Sequence, residues 1–454
     1  MPTEPQRDVG STRPPDYDTS DPRLNRLTSD QIDEVQNARL KSMVRYVYAR
    51  SEFWRQKLRQ AGIDPETFLG LHSLSDLPFC DKSELQSNQL EAGPFGSYAC
   101  TPAEDWTRFF ATSGTTGSPL FRVFSDRDWR LILDRFNRNS VWRPTDVVLM
   151  TAPTDGLIGP TAALESARAA GALVIQAGMW RTSRKISSIQ LIRPNIINGT
   201  TSYLVHLLEA AKAEGLDLSQ CGVQRLSCVG EPGAGVENTK DMLMRGYGAA
   251  RISDGYGITE IFPLGGNCPF STQLHLSEDM VIVECLEPGT NRPAAAGAPG
   301  ELVYTNIIGD TQPVLRYRSG DLGILCERSG CACGHTHHRI QSIMGRVDDM
   351  IWYRGVNFFP SAVEDIVRGF SELSPEYQIR IGEERSLPTI TIVVESDHDE
   401  GQLAQRVASR IKDGIGISPK VEVAAVGALP RTTDGGKLRR VVDTRKSKVT
   451  GGMI

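Results

Sequence analysis

The chain has 454 residues, a formal net charge of −5, and 39% hydrophobic against 23% charged residues. That length exceeds what one hydrophobic core usually organises, so two or more domains are expected, and the balance is that of a globular protein rather than a disordered or fibrous one. The small charge, with no basic block longer than 445–448, speaks against a nucleic-acid partner, and the lack of any apolar run near the roughly 20 residues that span a bilayer speaks against a membrane partner.

Residues 1–28 are rich in Pro, Asp, Ser, Thr and Arg and show almost no apolar periodicity, which predicts a mobile N-terminal arm. It lacks the basic-then-apolar pattern of an export leader, so a cytoplasmic location is expected. From Ser29 a hydroxyl-type helix start, apolar residues at helical spacing and the stop at Gly62 predict a pair of helices. The middle alternates β-rich runs, DVVLMTA (146–152), ALVIQAG (172–178), NIINGT (195–200) and RLSCVGE (225–231), with helical patterns. Such alternation predicts crossover units on a mainly parallel sheet. MVIVECLEPG (280–289) and GELVYTNI (300–307) instead alternate around turn signals, as antiparallel strands of a β subdomain would. After 345–354 the pattern restarts as helix 360–370, strands 377–382 and 389–396, helix 400–414 and strand 420–426, a two-layer α+β unit. The fold class is α/β, with an expected large N-terminal domain over 29–347 and a small C-terminal domain over 348–454.

Nine cysteines, an odd number mostly isolated in patterned segments, suit reduced thiols better than a disulfide framework. The most informative string is FFATSGTTGSP, 109–119. Glycines interleaved with small hydroxyl residues let the backbone turn tightly and aim several N–H groups and hydroxyls at one anion, which is phosphate-binding chemistry. It is not the GxxxxGK[ST] loop of the common nucleotidases.

Further strings follow in a set order: GEP (230–232), DGYGITE (254–260), RYRSGDLG (316–323), GRVDDM (345–350) and GGK (435–437). Together with SGTTG (113–117) they resemble the adenylate-forming superfamily, and MVRYVYARSEFWRQKL, LSDLPFCDKSEL, RYRSGDL and RGVNFFPSAVE look like its phenylacetate-CoA ligase group. The resemblance covers about residues 30 to 445. It implies ATP, Mg²⁺ and coenzyme A as cofactors, a small-molecule carboxylic acid as partner, and a homodimer.

The resemblance also assigns tasks. Thr112, Ser113, Gly114, Thr115, Thr116 and Gly117 would hold the β- and γ-phosphates. Gly230, Glu231 and Pro232 would line the adenine and α-phosphate side, Tyr256 would stack on the purine, and Asp321 would accept two ribose hydroxyls with Arg346 nearby. Thr259 would touch the α-phosphate and Glu260 would ligate Mg²⁺, a hard cation that takes carboxylate oxygen while keeping several waters. Lys437, on a Gly-rich turn, would pair with the carboxylate and α-phosphate during attack. Asp348 stands at the family's hinge, where a few residues can rotate the small domain between two half-reactions. One departure is Ser118, where relatives often carry Lys or Arg.

Cys268, His275, Cys331 and Cys333 would supply three thiolates and an imidazole, the set structural Zn²⁺ prefers. Cys326, His335 and His337 compete as ligands, and the spacing is not a standard finger, so reduced thiols in a loop stay open as the alternative. Four protein ligands would leave no open position, making such a zinc structural.

The expected reaction is acid plus MgATP to acyl-AMP and pyrophosphate, then thioester formation with coenzyme A, with an aryl or arylacetic acid as substrate by resemblance. Ile261, Phe262 and Gly265 are candidates for the pocket wall, because they follow a strand end where ligands sit in α/β sheets. Transfer of the adenylate to a carrier-protein thiol, an amine or another nucleophile is an alternative outcome. A non-catalytic nucleotide or acid sensor on the same fold is a third, against which Glu260 and Lys437 both stand.

Overall fold

The computed structural model describes Pro14 and residues 17–112, 119–139, 141–231, 233, 235–354, 356–384, 387–398, 400–431 and 440–445. The chain divides into two compact units. One comprises Met1–Asp146, Thr154–Val174 and Gly255–Ser342; the other comprises Val147–Pro153, Ile175–Asp254 and Ile343–Ile454.

In the first unit, Thr28 and Gln31 form a reciprocal capping box that starts the helix Ser29–Arg50, and Ser51 caps the next, Glu52–Gln60. This is the expected pair. Ile32, Leu40, Met43, Val44 and Val47 put the first helix's apolar stripe into the core, the face that 3.6-residue periodicity prescribes. An antiparallel hairpin joins Trp106–Ala111 to Phe121–Ser125 and so brackets the SGTTG string. The β subdomain is antiparallel as expected: Val281–Leu286 pairs with Pro299–Asn306, and that strand with Tyr317–Cys326. A second antiparallel set runs Arg251–Ile258, Ile261–Cys268, Ser271–Leu276 and Arg339–Arg346.

The stretch expected to be a mobile arm departs from that expectation from residue 17 onward. Thr19 is fully buried, and Pro22–Arg26 forms a 3₁₀ turn capped by Asp21. The segment's carbonyls satisfy buried donors: Arg138 donates to Thr19 O (3.2 Å), His337 Nε2 to Leu24 O (2.8 Å), and Thr336 Oγ1 to Leu27 O (2.6 Å). Backbone oxygens do most of this, joined by Asn25, which donates to Asn139 (3.0 Å), and by Tyr17 under Arg39, and composition does not register the carbonyls.

In the second unit Val147–Met150, Ile196–Gly199 and Arg225–Val229 lie parallel, as the β/helix alternation predicts. Helices Thr201–Ala213 and Glu237–Tyr247 cover them through a core of Leu149, Ile197, Leu204, Leu226, Leu243 and Tyr247. The C-terminal part has four strands in the order Lys420–Ala424, Leu387–Glu395, Tyr377–Glu384, Val441–Asp443. Alternate residues Ile379, Ile381, Ile390, Ile392 and Val394 face Val363, Val367, Leu403, Val407 and Ile411 of the helices Pro360–Arg368 and Glu400–Ile415, giving the expected two-layer α+β arrangement. The units cut across the anticipated division at 347/348, because this part bonds to the helices of residues 201–247. Asn238 N–H donates to the Asp365 carboxylate (3.1 Å), Arg368 to Thr239 (2.7 Å), and Ser374 to Glu209 (3.4 Å). Among the described residues no helix is long and apolar enough to cross a membrane.

Candidate active site and metal centre

The phosphate-loop residues Ser113, Gly114, Thr115, Thr116 and Gly117 lie outside the described residues, as does Ser118; the loop's ends do not. Thr112 N–H donates to Leu120 O and Leu120 N–H returns to Thr112 Oγ1, both at 3.0 Å. Gln89 grips the next residue in the same way, accepting from Phe121 N–H (3.2 Å) and donating to Phe121 O (2.7 Å). The two ends of the loop are therefore pinned to each other and to Gln89.

Thr259 and Glu260 are the two residues of a tight hairpin turn, with Ile258 paired to Ile261. Glu260 is 7% exposed, so its carboxylate has left bulk water and needs a partner of opposite charge or good donors. No Lys or Arg within 4 Å supplies an ion pair among the described residues. Burial, then the Glu260 charge and its hydrogen bond, hold the Tyr317 phenol well above its ordinary range. Glu260 and Ile261 line one cavity with Arg122, Asp128, Met280 and Pro313. A Cβ at Gly265 would lie 2.7 Å from His275 O, so the glycine permits close strand approach there. The Phe262 side chain lies outside what is described.

Tyr256 O–H donates to Asp321 Oδ2 at 2.6 Å and receives Tyr304 O–H at 3.2 Å. Asp321 is braced in turn, its N–H donating to Ser319 Oγ (3.0 Å), which donates to Leu302 O (2.6 Å). The expected purine platform and ribose acceptor are thus side by side in the first unit.

In the second unit, Gly230 takes φ +78°, which favours glycine, and Glu231 turns its carboxylate to Ser202 N–H (2.8 Å) and Oγ (2.7 Å) at the start of the helix Thr201–Ala213. That contact fixes the loop and satisfies an orphan helix donor. Arg346 reaches Asp348 at 3.5 Å with both side chains largely exposed, a weak surface contact. Pro232 and Lys437 lie outside the described residues.

At the far end of the strand Ile261–Cys268, the sulfurs of Cys268, Cys331 and Cys333 and a His275 nitrogen all lie within 4.8 Å of one another. Cys268 Sγ and Cys331 Sγ are 3.7 Å apart, and Cys333 Sγ is 3.7 Å from His275 Nε2. A tetrahedral ion with metal–sulfur bonds of about 2.3 Å has edges of about 3.8 Å, so the residues fit zinc in both chemistry and spacing. Of the competing ligands, His335 lies against His275 with ring centres 4.6 Å apart and planes tilted by 43°, and His337 spends both ring nitrogens on Leu24 O and Glu278 N–H. Cys326 accepts from Gln273 at 3.7 Å.

A family profile described as the AMP-binding enzyme C-terminal domain matches residues 355–445. The chain is 33% identical to the phenylacetate-coenzyme A ligase of Thermus thermophilus over 94% of its own length and 99% of that protein's. It is 30% identical to the Escherichia coli protein of the same name, over 92% and 95% respectively. The chain belongs to the phenylacetate-coenzyme A ligase family. A crystal structure of 2-hydroxyisobutyryl-CoA ligase in the postadenylation state, in complex with R3-HIB-AMP, is similar with a TM-score of 0.86 and 27% identity, covering 97% of this chain and 96% of that one. The ligase is an adenylate-forming enzyme of the acid–thiol class, which converts a carboxylic acid to acyl-AMP and passes the acyl group to coenzyme A.

Two residues of the ligase escaped the motif reading. Asp254 accepts from the N–H groups of Gly233 and Gly235, both at 3.2 Å, and so shapes the loop after GEP. Its place two residues before Tyr256 in DGYGITE was the available signal. Arg122 is 3% exposed in the strand Phe121–Ser125. A lone charge among Phe and Val was its only mark.

Proposed function

We propose that the ligase activates an aryl or arylacetic acid. The observation that carries this is the near-full-length similarity to two proteins named phenylacetate-coenzyme A ligase. In this reading the phosphates of ATP lie on the loop whose ends Thr112 and Leu120 pin, with Tyr256 and Asp321 taking base and ribose. Glu260 would hold Mg²⁺ through its carboxylate, and the ion would supply charge neutralisation at the phosphates. The fit rests on the donor type and on burial without a competing basic partner.

Lys437 then offsets the charge that develops as the acid's oxygen attacks the α-phosphorus and pyrophosphate leaves. Rotation about Asp348 withdraws it, so the thiol of coenzyme A can displace AMP from the acyl carbon. Cys268, His275, Cys331 and Cys333 hold a structural zinc that knits the Ile261–Cys268 hairpin to residues 331–338 and, through Thr336 and His337, to the segment 17–28.

The test is pyrophosphate release from ATP across aromatic, arylacetic and fatty acids, with and without coenzyme A. Release driven by arylacetic acids, with ester formed only when coenzyme A is present, is the expected outcome. A preference for fatty acids overturns the substrate class.

A further inference from the structure

Arg122 carries a full positive charge in a strand that is otherwise apolar, and the fold has taken it out of water. Its Nη2 donates to Glu260 O at 3.1 Å and, closer still, to Gln312 O. Among the described residues its Nε and Nη1 have no hydrogen bond of normal length, and the neighbouring acceptor is the Tyr98 hydroxyl, whose pKa burial raises and the guanidinium lowers. The guanidinium lies 5.8 Å from the centre of the Tyr98 ring and lines the same cavity as Glu260. No carboxylate forms an ion pair with it among the described residues. Gln312, the other carbonyl it holds, is itself fixed, accepting from Val123 N–H (2.8 Å) and donating to Phe95 O (2.8 Å).

A buried guanidinium with two nitrogens short of a normal hydrogen bond costs stability, and an apolar side chain of similar length would fit the core better. A residue kept at such a cost has a task other than packing. Its position names one. Strand Phe121–Ser125 leaves the phosphate loop one residue before Arg122, and the Thr259–Glu260 turn is what Arg122 holds. The bond falls on the carbonyl of the residue read as the divalent-cation ligand, so it limits rotation of the turn that carries that carboxylate.

We propose that Arg122 is a positioning residue for adenylation: it ties the strand leaving the phosphate loop to the turn bearing Glu260, and so sets the divalent-cation affinity of the nucleotide complex. This rests on the reading of Glu260 as the Mg²⁺ ligand. Outer residues that orient a ligand commonly change metal affinity by about 10- to 100-fold when removed.

The test uses full-length protein, Mn²⁺ followed by electron paramagnetic resonance, and α,β-methylene-ATP, which the enzyme cannot cleave. Arg122→Met is expected to weaken Mn²⁺ binding by about 10-fold or more while the melting temperature stays level or rises. Pyrophosphate release should need correspondingly more Mg²⁺, with the KM for the acid unchanged. Arg122→Lys keeps one donor for the Glu260 carbonyl and should recover part of the affinity. A lower melting temperature with unaltered Mn²⁺ affinity makes Arg122 a packing residue and overturns the proposal. Should Arg122→Met fail to fold, Arg122→Lys decides: a partial loss of affinity supports the proposal, and none overturns it. Glu260→Gln separates the two levels. If it weakens Mn²⁺ binding and Arg122→Met does not, the proposal alone fails; if it leaves binding intact, the reading of Glu260 fails and takes the proposal with it.

Discussion

The strand Ile261–Cys268 has a different cation chemistry at each end. Glu260 stands just before its first residue and Cys268 is its last, the strand itself spanning roughly 23 Å at about 3.3 Å per residue. In the proposed reading, Glu260 on its two-residue turn would offer a hard carboxylate oxygen to a divalent cation at the first end. At the second the protein brings three sulfurs and one imidazole nitrogen within 4.8 Å of one another. A cation that must arrive with ATP and leave with pyrophosphate cannot be enclosed, whereas one that fastens chain segments 63 residues apart (Cys268 and Cys331) must be. The contrast is one of exchange against permanence, on a single hairpin.

Removing Lys437 should act at the first end alone and give the largest effect. Lys437→Ala is expected to slow acyl-AMP formation by on the order of 10²-fold or more, while thioester formation from synthetic acyl-AMP survives and metal content is unchanged. Stopped-flow pyrophosphate release and coenzyme A ester analysis on the same preparation check this. Adenylation at the unmodified rate would leave the GGK lysine as a solvated tail residue.

The second end is sharpened through Glu278, 1% exposed, which links residues 328–338 to the helix Ser29–Arg50. Its carboxylate takes Arg328 Nη2 (2.9 Å), His338 N–H (2.7 Å) and His338 Nδ1 (2.7 Å). Burial alone would raise its pKa, but the bonds from His338 and Arg328 bring it from the ordinary 4.5 down to about 2. A depressed carboxylate stabilises the fold fully above its unfolded pKa and loses that contribution as pH falls through its folded one. Glu278→Gln should therefore cost up to about 3 kcal/mol near neutrality, with the difference from the parent shrinking below pH 4.5 and gone near pH 2. Thermal melts across that range measure it; a gap that does not change with pH contradicts the assignment. Adenylation by the folded fraction should be unaltered.

A smaller effect, at neither end, comes from the hinge. Asp348→Pro fixes φ and should change the two half-reactions by unequal factors. Separate rates for adenylation and thioester formation report it, and equal loss of both at unchanged stability would argue against Asp348 as the pivot.

What the sequence made legible follows from how each site is encoded. YGITE and the C-x-C of Cys331 and Cys333 are short strings whose expected chemistry is carried by side chains, so residue types suffice to single them out. The Cys/His set came together across the chain as expected, and so did Tyr256 and Asp321, through a bond of 2.6 Å. Other features are written in backbone or in context. The segment 17–28 is held largely by its carbonyls, which every sequence possesses. The ten-residue strand Tyr317–Cys326 is marked only by its RYRSGDLG motif, because Gly320 and Gly323 interrupt the apolar alternation that announces a strand. Gly265 is read from the string alone as a pocket candidate, and its close approach to His275 O is written only in the pairing of the strands. Arg122 has meaning only beside the carbonyl it holds, and no local pattern announces that.

The separation of the two ends is tested most directly by measuring zinc content and Mg²⁺ activation on Glu260→Gln and Cys331→Ser side by side. Elemental analysis should find about one zinc per chain in the parent and in Glu260→Gln, although the latter adenylates poorly and responds to Mg²⁺ only at higher concentration. Cys331→Ser should lose the zinc and melt earlier, while the molecules that remain folded show the parent's Mg²⁺ dependence. Zinc lost from Glu260→Gln, or no zinc in the parent protein, would contradict a hairpin with one exchangeable and one permanent cation.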